Sequence, residues 1–155
     1  MSRVVVNEIE AKVGNDISFN DTVKIDTIKG KTTAGSVSIQ GEGTATTNLQ
    51  QGVAKVWVSF DGTATDAAAN DSFNLTSMTD NGTGNYTVTI NNDFSAATYA
   101  CASGIGSGSG GGRYLGTIND GAKATGSCGF FCLHSNTSSA LDAPAYDVTF
   151  HGDLA

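Results

Sequence analysis

A chain of 155 residues has room for one ordinary domain, or for a domain of about 100 residues with an extended appendage, and excludes two large cores. Only 15% of residues are charged while Gly, Thr, Ser, Asn, Ala and Val dominate, which disfavours helices and points to an all-β chain of pleated strands and turns. The formal charge of −7 arises wholly in residues 56–155, where two basic groups face nine aspartates; no basic stripe is present to displace counterions from phosphates, which argues against nucleic acid as a partner.

No stretch approaches the roughly 20 consecutive apolar residues that span a bilayer, so no membrane insertion is expected. The N-terminus, MSRVVVNEIEAK, has too short an apolar run for a secretory signal, and synthesis in a cytoplasm is the expectation. Cys101, Cys128 and Cys132 cannot all pair within one chain, which agrees with a reducing site of synthesis and argues against a disulfide framework.

Residues 1–51 present apolar side chains only in short runs: Val4 to Val6, Ile17 and Phe19, Val23, Ile25 and Ile28, Val37 and Ile39. Asn-Asp, Lys-Gly-Lys and Ala-Gly turns separate them, so each run reads as a strand of a few residues. Ordering a residue costs about 1–2 kcal/mol, and one copy of such a ribbon has too little apolar surface to offset that. The segment is therefore predicted to be an extended oligomerisation and attachment element. Val4, Val6, Ile17, Phe19, Val23, Ile25, Ile28, Val37 and Ile39 would be covered between three or more copies of the chain, which also closes the sheet edges. A loosely packed arm is the competing reading. Residues 42–52, EGTATTNLQQG, lack periodicity and read as the junction.

Residues 52–155 are predicted to form an antiparallel β-sandwich or jelly-roll-like head domain. VAKVWVSF (53–60) reads as an apolar strand able to be buried on both faces, with Trp57 at the centre of the core. SFNLTSM (72–78), NYTVTIN (85–91), ATYACAS (97–103), RYLGTIN (113–119), GFFCLHS (129–135) and AYDVTFHG (145–152) complete about seven strands, NYTVTIN keeping one wet face. The glycine-rich run 104–112 leads into a strand and has no lysine in reach, so it reads as a flexible loop and not as a phosphate cradle.

Three constellations invite chemistry. Asp80-Asn81-Gly82-Thr83-Gly84-Asn85 resembles a calcium loop in composition, but it lacks the alternation and the closing glutamate, and its glycines suit a strand corner. Cys128, Cys132 and His134, with His151 as a fourth ligand, invite a zinc reading, and the first spacing is tolerable, yet GFFCLHS alternates as core, which favours buried structural cysteines. GSGSG (106–110) spells a nucleophile elbow only by low complexity, and no aspartate pair is marked for glycoside cleavage. The chain is read as a non-enzyme with no metal or cofactor.

Three stretches, VKIDTIKGKTTAGSVSIQGEGTATTNLQQGVAKVWVSFDGT (23–63), DSFNLTSMTDNGTGNYTVTINNDF (71–94) and YDVTFHGDLA (146–155), resemble short fibre or fibre-like receptor-binding virion proteins of tailed bacteriophages, especially marine ones. The resemblance implies a homotrimeric virion appendage on the tail or capsid surface. Its N-terminal segment would trimerise and attach to other virion proteins, and its β head would touch the host surface, with a surface glycan as partner. Tyr86, Tyr99, Tyr114 and Tyr146 are the aromatic platforms available for glycan contact, although buried tyrosines with bonded hydroxyls are the commoner fate. A capsid decoration protein that cements the shell, and a fibre-borne polysaccharide depolymerase, are the alternatives.

Overall fold

Strand faces in this chain follow the period-two alternation of apolar and polar residues. The computed structural model describes residues 22–30, 37–40, 44–106, 113–117 and 123–155. The oligomerisation expectation for Val4, Val6, Ile17 and Phe19 lies outside them. A small antiparallel hairpin, β1 (Ser38–Gln40) with β2 (Thr46–Asn48), precedes a single helical turn, α1 (Leu49–Gly52). Asn48 caps that turn by accepting from the Gln51 N–H at 3.0 Å.

The head is built from β3 (Val56–Phe60), β4 (Ala69–Phe73), β5 (Leu75–Asp80), β6 (Asn85–Ile90), β7 (Ala100–Gly106), β8 (Arg113–Thr117), β9 (Lys123–Ala124), β10 (Ser127–His134) and β11 (Ala145–His151). One sheet has the order β4-β3-β11-β7, the other β5-β6-β10-β8 with β9 beside β10, and their pairings are antiparallel. The all-β, sandwich-like expectation holds. β3–β4 and β5–β6 stay within a sheet, whereas the chain changes sheets after β4, β6, β7 and β10.

Both sheets turn alternate residues inward. β3 contributes Val56, Val58 and Phe60; β11, Tyr146, Val148 and Phe150; β6, Tyr86, Val88 and Ile90; β10, Cys128, Phe130 and Cys132. Aromatic pairs join the layers: Phe60 to Tyr86 at 5.1 Å between ring centroids, Tyr86 to Tyr146 at 5.2 Å and Phe130 to Phe150 at 5.6 Å. Removing each such side chain from water stabilises the fold by about 1.5–3 kcal/mol, and edge-to-face geometry adds to that.

Two strand expectations need correction. SFNLTSM is not one strand: it is split at Asn74, whose φ of 59° is left-handed, so that β4 belongs to one sheet and β5 to the other. Asparagine is among the non-glycine residues that tolerate that conformation, and here its side chain is held in place by tertiary hydrogen bonds. Its amide donates to the carbonyls of Lys55 (3.1 Å) and Asn92 (3.2 Å), and its Oδ1 accepts from the Asn92 N–H (2.8 Å). Nor is Trp57 at the core's centre: because Val56, Val58 and Phe60 point inward, alternation drives Trp57 to the outer face, where it is 37% exposed.

The Asp80–Asn85 cluster is the β5–β6 corner. Asn81 N–H donates to the Asn85 carbonyl and Asn85 N–H to the Gly82 carbonyl, both at 2.9 Å, while Gly82 (φ 111°) and Gly84 (φ 67°) take conformations that L side chains resist. Gly84 also ties the corner down, its N–H donating to Asp142 Oδ1 at 2.7 Å and its carbonyl accepting from the Cys132 N–H at 2.7 Å. Entry and exit of the head share the opposite end. There Lys55 N–H donates to the Phe150 carbonyl (2.8 Å) and Ser95 N–H to the Asp153 carbonyl (2.9 Å).

Candidate functional site

Three of the tyrosines expected to offer glycan platforms are core residues, and that expectation is corrected. Tyr86 and Tyr146 are 0% exposed and Tyr99 is 4% exposed. Their hydroxyls explain why polar-tipped rings can be buried. Tyr86 Oη lies 2.6 Å from Asp142 Oδ1 and 3.0 Å from the Gly62 carbonyl; Tyr99 Oη donates to the Ser127 carbonyl at 2.8 Å; Tyr146 Oη accepts from the Ala143 N–H at 3.1 Å. Burial, foremost, holds all three phenols above their ordinary pKa. The Tyr99 ring is itself engaged: Phe94 stacks on it at 4.2 Å and the Lys123 ammonium sits 4.6 Å from its centroid. Tyr114 is a residue of β8, where it pairs with Leu133.

The aromatic surface is instead on the outer face of the β4-β3-β11-β7 sheet. Strand register places Phe73, Trp57, Thr149 and Ala102 in one row across the four strands, and Asp71, Ser59, Asp147 and Gly104 in the next. Phe73 is 54% exposed and stands beside Trp57. Ala102 and Gly104 of β7 are small, so beside the Trp57 ridge the sheet surface forms an open trough of about 380 Å³, lined by Ser59 of β3, Asp147 and Thr149 of β11, and Ala102 and Gly104 of β7. A Cβ built on Gly104 meets no described atom within 4 Å. The signal in the sequence is V-W-V-S-F, in which a tryptophan occupies the same parity as Ser59 while the opposite parity is wholly apolar.

A second hollow, of about 460 Å³, lies where α1 meets the head, between Gln51, Tyr99, His151 and Asp153. Gln51 Nε2 approaches Asp153 Oδ2 at 3.4 Å across it. This is a junction between segments, and its polar groups are partly engaged with one another.

The cysteines do not converge on a metal. Cys128 and Cys132 face the core from the same strand, and a four-residue step along a strand is about 13 Å, too far for a shared ion or a mutual disulfide. Among the described residues no three His, Cys, Asp or Glu side chains stand close enough to hold a metal ion. Cys128 lies instead beside Tyr99 and Cys101, and burial pushes its thiol up to about 11.

A scan against protein-family models and searches of curated proteins and of solved structures find no match to this chain.

Proposed function

We propose that this chain is a structural protein of a tailed-phage virion: a short, fibre-like, trimeric appendage whose N-terminal segment attaches it to other virion proteins and whose β head faces the host surface. The observation that carries this reading is a contrast within the chain. The head buries most of its large apolar residues in one shared core, whereas Val23, Ile25, Ile28 and Ile39 of the preceding segment are 45%, 59%, 61% and 56% exposed. Each of these aliphatic side chains, about half in water, forgoes about 1 kcal/mol of burial energy. Association of identical chains recovers that energy, and a fibre base is a place where it is recovered.

Light scattering coupled to size-exclusion chromatography tests the reading on the full chain. The expected mass is that of three chains, and the double substitution Ile25→Asp, Ile28→Asp is expected to reduce it to one chain while the far-ultraviolet circular dichroism of the head persists. A full-length monomer refutes the proposal.

A further inference from the structure

We propose that the trough on the outer face of the β4-β3-β11-β7 sheet binds a neutral saccharide, with the Trp57 indole as its stacking platform; the inference rests on the reading of the head as the outward-facing part of the appendage. Alternation fixes that residue 57 points outward, but not that it is tryptophan, and any polar side chain would satisfy the position. A partly exposed indole with Phe73 beside it is an apolar row on a face otherwise made of small and polar residues.

The trough has the chemistry of a sugar site on three counts. Its width comes from Ala102 and Gly104, and its volume of about 380 Å³ falls within the ~300–1,000 Å³ of small-molecule sites. Its ring face carries the negative side of the aromatic quadrupole, which attracts the weakly positive C–H groups on one face of a pyranose. Its polar edge is Ser59, Thr149 and the exposed Asp147, where hydroxyls can donate and accept and a carboxylate accepts from sugar hydroxyls.

Charge selects among occupants. Asp71 and Asp147 lie in the row next to Trp57, and among the described residues no Lys or Arg lines the trough, so phosphates, uronates and sialic acids meet repulsion there without a described counter-charge. A second copy docked face to face would bring these same carboxylates together, which disfavours self-association here. A neutral sugar carries no such penalty.

Trp57 is the only tryptophan of the chain, so intrinsic fluorescence reports on the proposed site directly. The full-length protein is titrated with cellohexaose, laminarihexaose, chitohexaose and mannohexaose, and with an oligogalacturonate as the anionic comparator. The expected result is a saturable shift in emission with at least one neutral oligosaccharide and none with the oligogalacturonate. Gly104→Leu, which fills the trough where a Cβ meets no described atom, keeps the tryptophan and is expected to abolish the shift at an unchanged melting temperature. Emission that stays constant across the panel, a stronger response to the anionic sugar, or a shift that survives Gly104→Leu overturns the proposal. So does a change of oligomeric mass in Gly104→Leu, which would assign this face to contact between copies. A monomeric chain with a saturable shift would remove the appendage reading and leave the site; a trimer with silent emission would do the reverse.

Discussion

Asp142→Ala removes an acceptor that two groups of the β5–β6 corner share. Asp142 Oδ1 takes the Gly84 N–H at 2.7 Å and the Tyr86 hydroxyl at 2.6 Å, both charge-assisted. In the alanine variant Tyr86 retains an acceptor, because the Gly62 carbonyl lies 3.0 Å from its oxygen, so its loss is the difference between a charge-assisted and a neutral bond, about 1 kcal/mol. Gly84 is buried and its N–H has no comparable substitute, which adds about 1–3 kcal/mol for an unsatisfied donor. The sum is about 2–4 kcal/mol, with the lower half favoured because Asp142 is only half-buried and water can reach the vacated space. Asp142→Asn keeps an oxygen for the Gly84 N–H and is expected to lose only about 1 kcal/mol. Urea unfolding followed by far-ultraviolet circular dichroism measures both, as a displaced midpoint at constant slope. Asparagine as damaging as alanine, or an alanine variant within about 0.5 kcal/mol of the parent, would refute the shared-acceptor argument.

Two further outcomes are expected. Gly84→Ala places a Cβ 2.5 Å from the Cys132 carbonyl and 2.9 Å from the Leu141 backbone at a φ of 67°, so it should destabilise by more than about 3 kcal/mol. Gly82→Ala meets no described atom within 4 Å and should lose about 1–3 kcal/mol from its φ of 111° alone, less than Gly84→Ala; equal melting temperatures for the two variants would contradict the packing account. Cys128 keeps its proton in the folded chain up to about 11, whereas an unfolded thiol loses it near 9, so stability present below about pH 9 should decline between about pH 9 and 11. Urea midpoints at about pH 8 and about pH 10.5 test this: the parent should fall, Cys128→Ala should fall less, and equal slopes would remove Cys128 as a cause.

What the sequence made legible was local periodicity. NYTVTIN and AYDVTFHG keep a strict two-residue repeat, and their buried faces are the ones the repeat dictates. The same repeat in VWVSF contained the outward position of Trp57, but the length of the apolar run drew it into the core. SFNLTSM shows the converse failure: its repeat continues across Asn74 and gives no sign of the change of sheet, which depends on a left-handed residue bonded to Lys55 and Asn92. The tyrosines were illegible for a third reason. Tyr86 and Asp142 are 56 positions apart, and nothing local in either marks the bond that permits burial. The trough likewise depends on three strands distant in sequence, brought together only by register.

The central pairing of β3 with β11 sets the order in which the head can be completed. Residues 56–60 find their hydrogen-bonded neighbour at residues 146–150, and β11 also supplies the partner of β7. An inner strand of one sheet is thus made after both strands that flank it. Until about residue 151 has left the ribosome, β3 and β7 each carry an open edge, so this sheet closes late and through contacts of long sequence separation, a topology that folds slowly. The β5–β6 hairpin, made earlier and closed by its own corner, is the natural place for order to begin.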